Sequence, residues 1–162
     1  MTDVAAVGAA TSTTRTPASP TNRNLDMDLS TLDTTASAEA GAKMEVVHPT
    51  TGAVLVQSDG KPISVMLAGE DSDRYRKADR RISNRRLATA STGRRVRATA
   101  EGIEADRLEV LVACTISWEG IGFDGGEKEC TPENAREAYK KLPWLREQAD
   151  AFIVDRANFL KA

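Results

Sequence analysis

The chain has 162 residues, of which 40% are hydrophobic and 28% charged, with a formal net charge of −2 and a single histidine. That length suits one domain with or without a tail, and no run approaches the ~18 apolar residues of a membrane span. One His and two separated Cys argue against most metal and nucleophile–base chemistry, and near-neutral charge gives no global pull towards nucleic acid or lipid.

The composition is uneven. Residues 1–42 hold no aromatic residue, and 24 of them are Ala, Thr, Ser or Pro. Ordering such a segment costs about 1–2 kcal/mol per residue in backbone entropy, which so little apolar area does not offset. Residues 1–42 are therefore expected to form a disordered, low-complexity arm. Leu25, Met27, Leu29 and Leu32 are its one apolar cluster, either part of a solvated linker or a short partner-binding element. The opening MTDVAAVGAATSTTRTPASP does not read as an export signal: Asp3 stands where a positive charge belongs, and Gly8, Thr11 and Ser12 dilute the apolar run. Cys114 and Cys130 lack C-x-x-C spacing and read as two free thiols of a reducing compartment.

A single α+β domain is expected over 43–162. Residues 43–69 read as a small β-meander. MEVVHP and GAVLVQ are β-branched runs flanking the turn Pro49–Gly52, Asp59-Gly60 favours a second hairpin, and Ile63–Leu67 alternates like a half-buried strand. Such a sheet is marginal without helical cover. Residues 71–90 predict a basic helix capped by Asp71 or Ser72. Tyr75, Ala78, Ile82 and either Leu87 or Ala88 mark its apolar stripe. Arg74, Arg76, Lys77, Arg80, Arg81, Arg85 and Arg86 lie opposite, and Arg94, Arg95 and Arg97 follow in a loop.

Residues 101–162 read as a helical half. Leu108, Leu111, Val112 and Thr115 or Ile116 follow helical spacing, which predicts a helix over 101–118 with Trp118 at its end. Glycines 120–126 allow a small hairpin near 121–130. Thr131-Pro132-Glu133 is an N-cap with proline at the first helical position. Pro143 then separates a last helix carrying Leu145, Ala149, Phe152, Ile153 and Phe159 or Leu160. A β-rich segment followed by about four helices, without βαβ alternation, is an α+β architecture.

Ten of the 22 Lys and Arg residues fall between Arg74 and Arg97, against one acid, Asp79. Arginines along a helix face suit a phosphate backbone, yet few aromatics accompany them and no nucleic-acid-binding motif surrounds them. An acidic protein partner, or the acidic C-terminal half of the chain itself, are the other destinations for this charge. Glu119, Asp124, Glu127 and Glu129 lack the ligand order of an EF-hand. Asp59–Pro62 is no phosphate loop, and His48 has no nucleophile near it in sequence. No catalytic residue, metal ligand or cofactor is therefore expected, and the chain does not read as an enzyme. Trp118, Trp144, Phe152 and Phe159 are of the type that dominates interface hot spots, although at helical spacing such residues more often form core. Arg156 lies one turn beyond Phe152 and either stacks on it or projects to a partner. The candidate partner-binding set is Arg76, Arg80, Arg81, Arg85, Trp118, Trp144, Arg156 and Phe159.

Two stretches, LAGEDSDRYRKA (from Leu67) to Arg86 and ISWEGIGFDGGE (from Ile116) to the end, carry a resemblance when taken in order. The second continues through CTPENAREAY, LPWLREQ and FIVDRANFL. This succession resembles the tail assembly chaperones of long-tailed bacteriophages and prophages, over roughly residues 44–162; the arm departs from that pattern. The resemblance implies a non-enzymatic factor in the host cytoplasm. Such a factor binds and solubilises the tape measure protein, recruits tail tube subunits, and is lost before the virion is complete. It implies no membrane and leaves self-association open. The alternatives are a nucleic-acid-binding accessory protein using residues 74–97, or a minor structural protein of the particle.

Overall fold

The computed structural model describes Ser30 and residues 33–91 and 99–160. Apart from Ser30, the stretch expected as an arm lies outside the described residues as far as Leu32, as do Arg94, Arg95 and Arg97. The elements are α1 (Thr35–Ala40), β1 (Ala42–Glu45), β2 (Ser64–Leu67), α2 (Asp73–Ser91), α3 (Ala100–Cys114), β3 (Thr115–Glu119), β4 (Gly122–Phe123), β5 (Gly126–Glu127), α4 (Pro132–Lys141) and α5 (Pro143–Val154). A 3-10 turn over Arg156–Asn158 follows. The fold is α+β, with two strands of its three-stranded sheet early in the chain and the third after α3.

Regular structure starts ahead of the expected boundary at residue 43. Six residues are too few for a stable isolated helix, so α1 depends on what it touches. Ala38 and Ala42 are buried against Phe159, Glu39 pairs with Arg74 at 3.2 Å, and the Thr34 hydroxyl donates to the Asp71 carboxylate. All of these partners are remote in sequence, which is why local composition missed the helix.

The three-stranded sheet has the order β1-β2-β3 and is antiparallel throughout, with Met44 opposite Val65 and Val65 opposite Trp118. The predicted helix over 101–118 is therefore corrected: α3 stops at Cys114, and Thr115–Glu119 become an edge strand. Thr115, Ile116 and Trp118 favour strands, and their backbone satisfies the second side of central β2. The Thr115 hydroxyl donates to the Leu111 carbonyl at 2.8 Å and closes the helix. A register shift at Met66/Leu67 leaves Ile116 without a cross-strand partner, as in a β-bulge. Ile116 then covers Gly41, whose φ is +84°; a Cβ there would lie 2.6 Å from Ile116 Cδ1.

The run Gly52–Gln57 does not extend into a strand. It contributes isolated bridges at Val54 and Val56, while Leu55 donates to Val46 and accepts from Ile63, both at 2.8 Å. The meander thus curls back on itself between β1 and β2. Alternation places Met44, Val65 and Leu67 inward and Lys43, Glu45, Ser117 and Glu119 outward. The inward side chains meet Leu108, Leu111, Val112 and Cys114 of α3, Ala135 and Tyr139 of α4, and Leu145, Ala149 and Ile153 of α5 in one core. Helix α2 packs on α3 through buried Ala78 and Ile82.

The last predicted helix is also shorter than its spacing suggests. Asp155 ends α5 and accepts from the Ala157 N–H at 3.0 Å, and the Asn158 amide donates to the Phe152 carbonyl at 3.0 Å. Phe159 is thereby turned back beneath the helix instead of extending along it. Among the described residues no helix is long and apolar enough to cross a membrane.

Candidate interaction surface

Helices α2 and α3 form an antiparallel hairpin that outgrows the core. Ile82 is the last buried residue of α2 and Leu108 the first of α3. Residues 83–91 and 99–105 are exposed throughout, so the hairpin projects by roughly eight residues, about 12 Å at 1.5 Å per residue.

Part of the basic segment holds this hairpin together. Arg85 reaches Asp106 at 2.6 Å and Glu109 at 2.9 Å, Arg86 also pairs with Asp106, and Arg81 lies 3.7 Å from Glu109. Burial pushes the Asp106 carboxyl up, but the hydrogen bonds from Arg86 and Arg85 outweigh it and hold the group below its ordinary value. Of the predicted contact residues, then, Arg81 and Arg85 are committed within the molecule. Arg76 and Arg80, with Lys77 beside them, form no ion pair with any described residue. They lie on the face of α2 opposite Ile82 and share it with Leu87, which is 68% exposed. Leu87 and Ala88, the two alternatives for the end of the inward stripe, are both exposed, and the stripe stops at Ile82. The matching signal in the sequence is the acid spacing Asp106/Glu109, three residues apart on α3, set against the arginines of α2.

Of two concave regions, one lies at the hairpin base and the other between the meander and the α4–α5 corner. A groove of about 510 Å³ runs between α2 and α4 over α3. Its floor is Val112, Ala113 and Thr115, and its walls carry Arg74, Arg81 and Arg136, with Glu109 as its one acid. On the other side of α4, an apolar hollow of about 220 Å³ is bounded by Val46, Leu55, Ile63, Ile121, Leu142 and Trp144. Trp144, a candidate contact from the sequence, lines the hollow; Arg136, which sequence reasoning missed, lines the groove and is brought to it only when α4 is laid beside α2.

The remaining candidates are fasteners. Trp118 donates its indole N–H to the Lys128 carbonyl at 2.7 Å, tying β3 to the β4–β5 hairpin. Phe159 is only 6% exposed, which corrects its assignment to a contact surface. Arg156 neither stacks on Phe152 nor stands unpaired: its guanidinium reaches Glu70 at 2.6 Å and Asp71 at 2.8 Å. That hydrogen bond, joined by one from Thr34, holds the Asp71 carboxyl below the ordinary range. Cys114 is buried and its thiol is pushed up to about 12 by desolvation. Among the described residues no three His, Cys, Asp or Glu side chains are gathered so as to hold a metal ion.

The fold and surface together define a small two-layer α+β domain with a projecting, charge-fastened helical hairpin. No family model, curated protein or solved structure matches the chain.

Proposed function

We propose that this chain is a tail assembly chaperone of a long-tailed phage, which binds the tape measure protein and helps recruit tail tube subunits in the host cytoplasm. The observation that carries the reading is the ordered run of motifs, W-E-G at Trp118, E-N-A at Glu133 and D-R-A-N-F-L at Asp155, together with the part each plays in one fold. Trp118 fixes the β4–β5 hairpin, the Asn134 amide donates to the Glu129 carbonyl at 2.9 Å, and Asp155, Arg156, Asn158 and Phe159 lock the end of α5 to the rest. A resemblance carried by such residues is a resemblance of scaffold. Partner contact would then fall to the exposed parts: the outer face of α2 and the hollow beside Trp144.

The nucleic-acid alternative draws less support. Steep salt dependence requires many phosphate contacts, and Arg81, Arg85 and Arg86 already hold carboxylates. The test is co-expression of the full chain with the long, helix-rich tape-measure-like protein encoded near it. The proposal expects that protein to become soluble and co-elute. If it stays insoluble while the chain retains nucleic acid at low salt, the proposal falls.

A further inference from the structure

The groove between α2 and α4 has walls and a floor of different character. Val112, Ala113 and Thr115 floor about 510 Å³, and the guanidinium groups of Arg74, Arg81 and Arg136 stand around it against the single carboxylate of Glu109. Arg74 and Arg81 lie two turns apart on one line of α2, about 10 Å along the helix. Arg136 lines the opposite wall, from α4.

Each of these arginines has donors to give. Arg136 forms no ion pair with any described residue. Arg74 meets Glu39 through its Nε at 3.2 Å, which leaves its two terminal nitrogens for another acceptor. Arg81 stands 3.7 Å from one oxygen of Glu109, beyond hydrogen-bond reach, whereas Arg85 holds the other oxygen at 2.9 Å. Arg81 is therefore free to turn to a guest without stripping Glu109 of its partner.

Guanidinium forks match planar carboxylates, and a concave, partly dry site strengthens such bonds relative to an open helix face. The floor asks for apolar atoms as well. A nucleic acid would need rings on which to stack its bases, and no aromatic side chain lines the groove. A peptide helix meets both demands, because carboxylates two turns apart along one edge match the spacing of Arg74 and Arg81.

We infer that this groove binds an acidic amphipathic helix of a partner protein. The helix lies along α3, with carboxylates on Arg74 and Arg81, Arg136 closing on its flank, and small apolar side chains on Val112 and Ala113. The site is separate from the outer face of α2 and from the hollow beside Trp144. The inference does not depend on the partner being a tape measure protein.

The test titrates the full chain, isotope-labelled at its backbone amides and arginine Nε, with a capped alanine-leucine helical peptide bearing two glutamates two turns apart. Saturable shifts are expected at the Val112 and Ala113 amides and at Nε–H of Arg81 and Arg136, with Arg76 and Arg80 unmoved. R136E, an exposed change that leaves the fold intact, should weaken binding about tenfold or more. A113F, which fills the floor, should abolish it, and the same peptide with lysines for glutamates should not bind. No saturable shift in the groove at about 2 mM peptide, or shifts as large on the outer face of α2, overturns the inference. So does a DNA duplex that moves the groove signals at lower concentration than the peptide, since the occupant is then a nucleic acid.

Discussion

Phe152 and Phe159 meet edge to face, their ring centroids 5.8 Å apart and their planes at 72°, across the turn that Asp155 starts. The geometry is the one that aromatic quadrupoles favour. It draws Phe159 onto Ala38, Ala42 and Gly69, where a Cβ on Gly69 would lie 3.0 Å from the ring. One side chain thus joins α5 to α1.

Phe159→Ala is expected to destabilise the domain by about 3–5 kcal/mol, the range for removing a buried aromatic ring. Urea unfolding followed by circular dichroism checks this, and amide exchange should show α1 opening before the core. A loss of only a few tenths of a kcal/mol would mean that the cluster is not packed as described.

Tyr139 is buried, and its hydroxyl shares a 2.8 Å hydrogen bond with Thr115 Oγ1. Burial pushes the phenol from 10.0 up to about 12. Because the folded value is raised, the stability this group contributes is complete below about pH 10 and is lost as pH climbs towards 12. Ultraviolet titration should find a tyrosine that ionises near pH 12, absent in Tyr139→Phe. That variant should also lose about 1 kcal/mol, the usual net worth of one hydrogen bond.

Charge reversal separates the arginines of α2 into two kinds. R76E/R80E should leave stability within about 0.5 kcal/mol of the parent, as exposed substitutions do, while weakening any partner held by the outer face. R85E sets a third carboxylate against Asp106 and Glu109, and should loosen the hairpin even with no partner present. Hydrogen exchange across residues 83–91 and 100–107 distinguishes them; equal protection in both variants would contradict the fastening.

The Asp71 carboxyl is held below its ordinary 3.8 by hydrogen bonds from Arg156 and Thr34, and that of Glu119 below 4.5 by Lys43. A depressed carboxyl stabilises the fold above its unfolded value and ceases to as acid protonates it. The unfolding midpoint should accordingly fall as pH drops below about 4. Asp71→Asn should lower the midpoint at neutral pH and flatten that acid limb, which a thermal scan across pH 2–7 would read.

Sequence patterning located α2, α4 and the start of α5, because each carries its own signal: a basic amphipathic run, or a proline at the first helical position. It failed where remote partners decide the structure. Thr115–Glu119 is helical by spacing and a strand by pairing, since only β2 offers its backbone an alternative. The surface was legible in residue type and less so in role. Arginines that serve as fasteners and arginines left outward look alike until α3 is laid against α2. Phe159 and Arg156, chosen as contacts, are held by Ala38 and Asp71, far away along the chain.

The central strand β2 has one neighbour about twenty residues before it and the other some fifty residues after it, and the Asp71–Arg156 contact spans 85 residues. Closing loops of that length costs entropy before any contact rewards it, which slows folding. Until β3 arrives, β2 presents a bare edge to its surroundings, and such edges are where chains pair wrongly. A newly made copy is thus most at risk of aggregation in the interval between forming the α2–α3 hairpin and seating Trp118 opposite Val65.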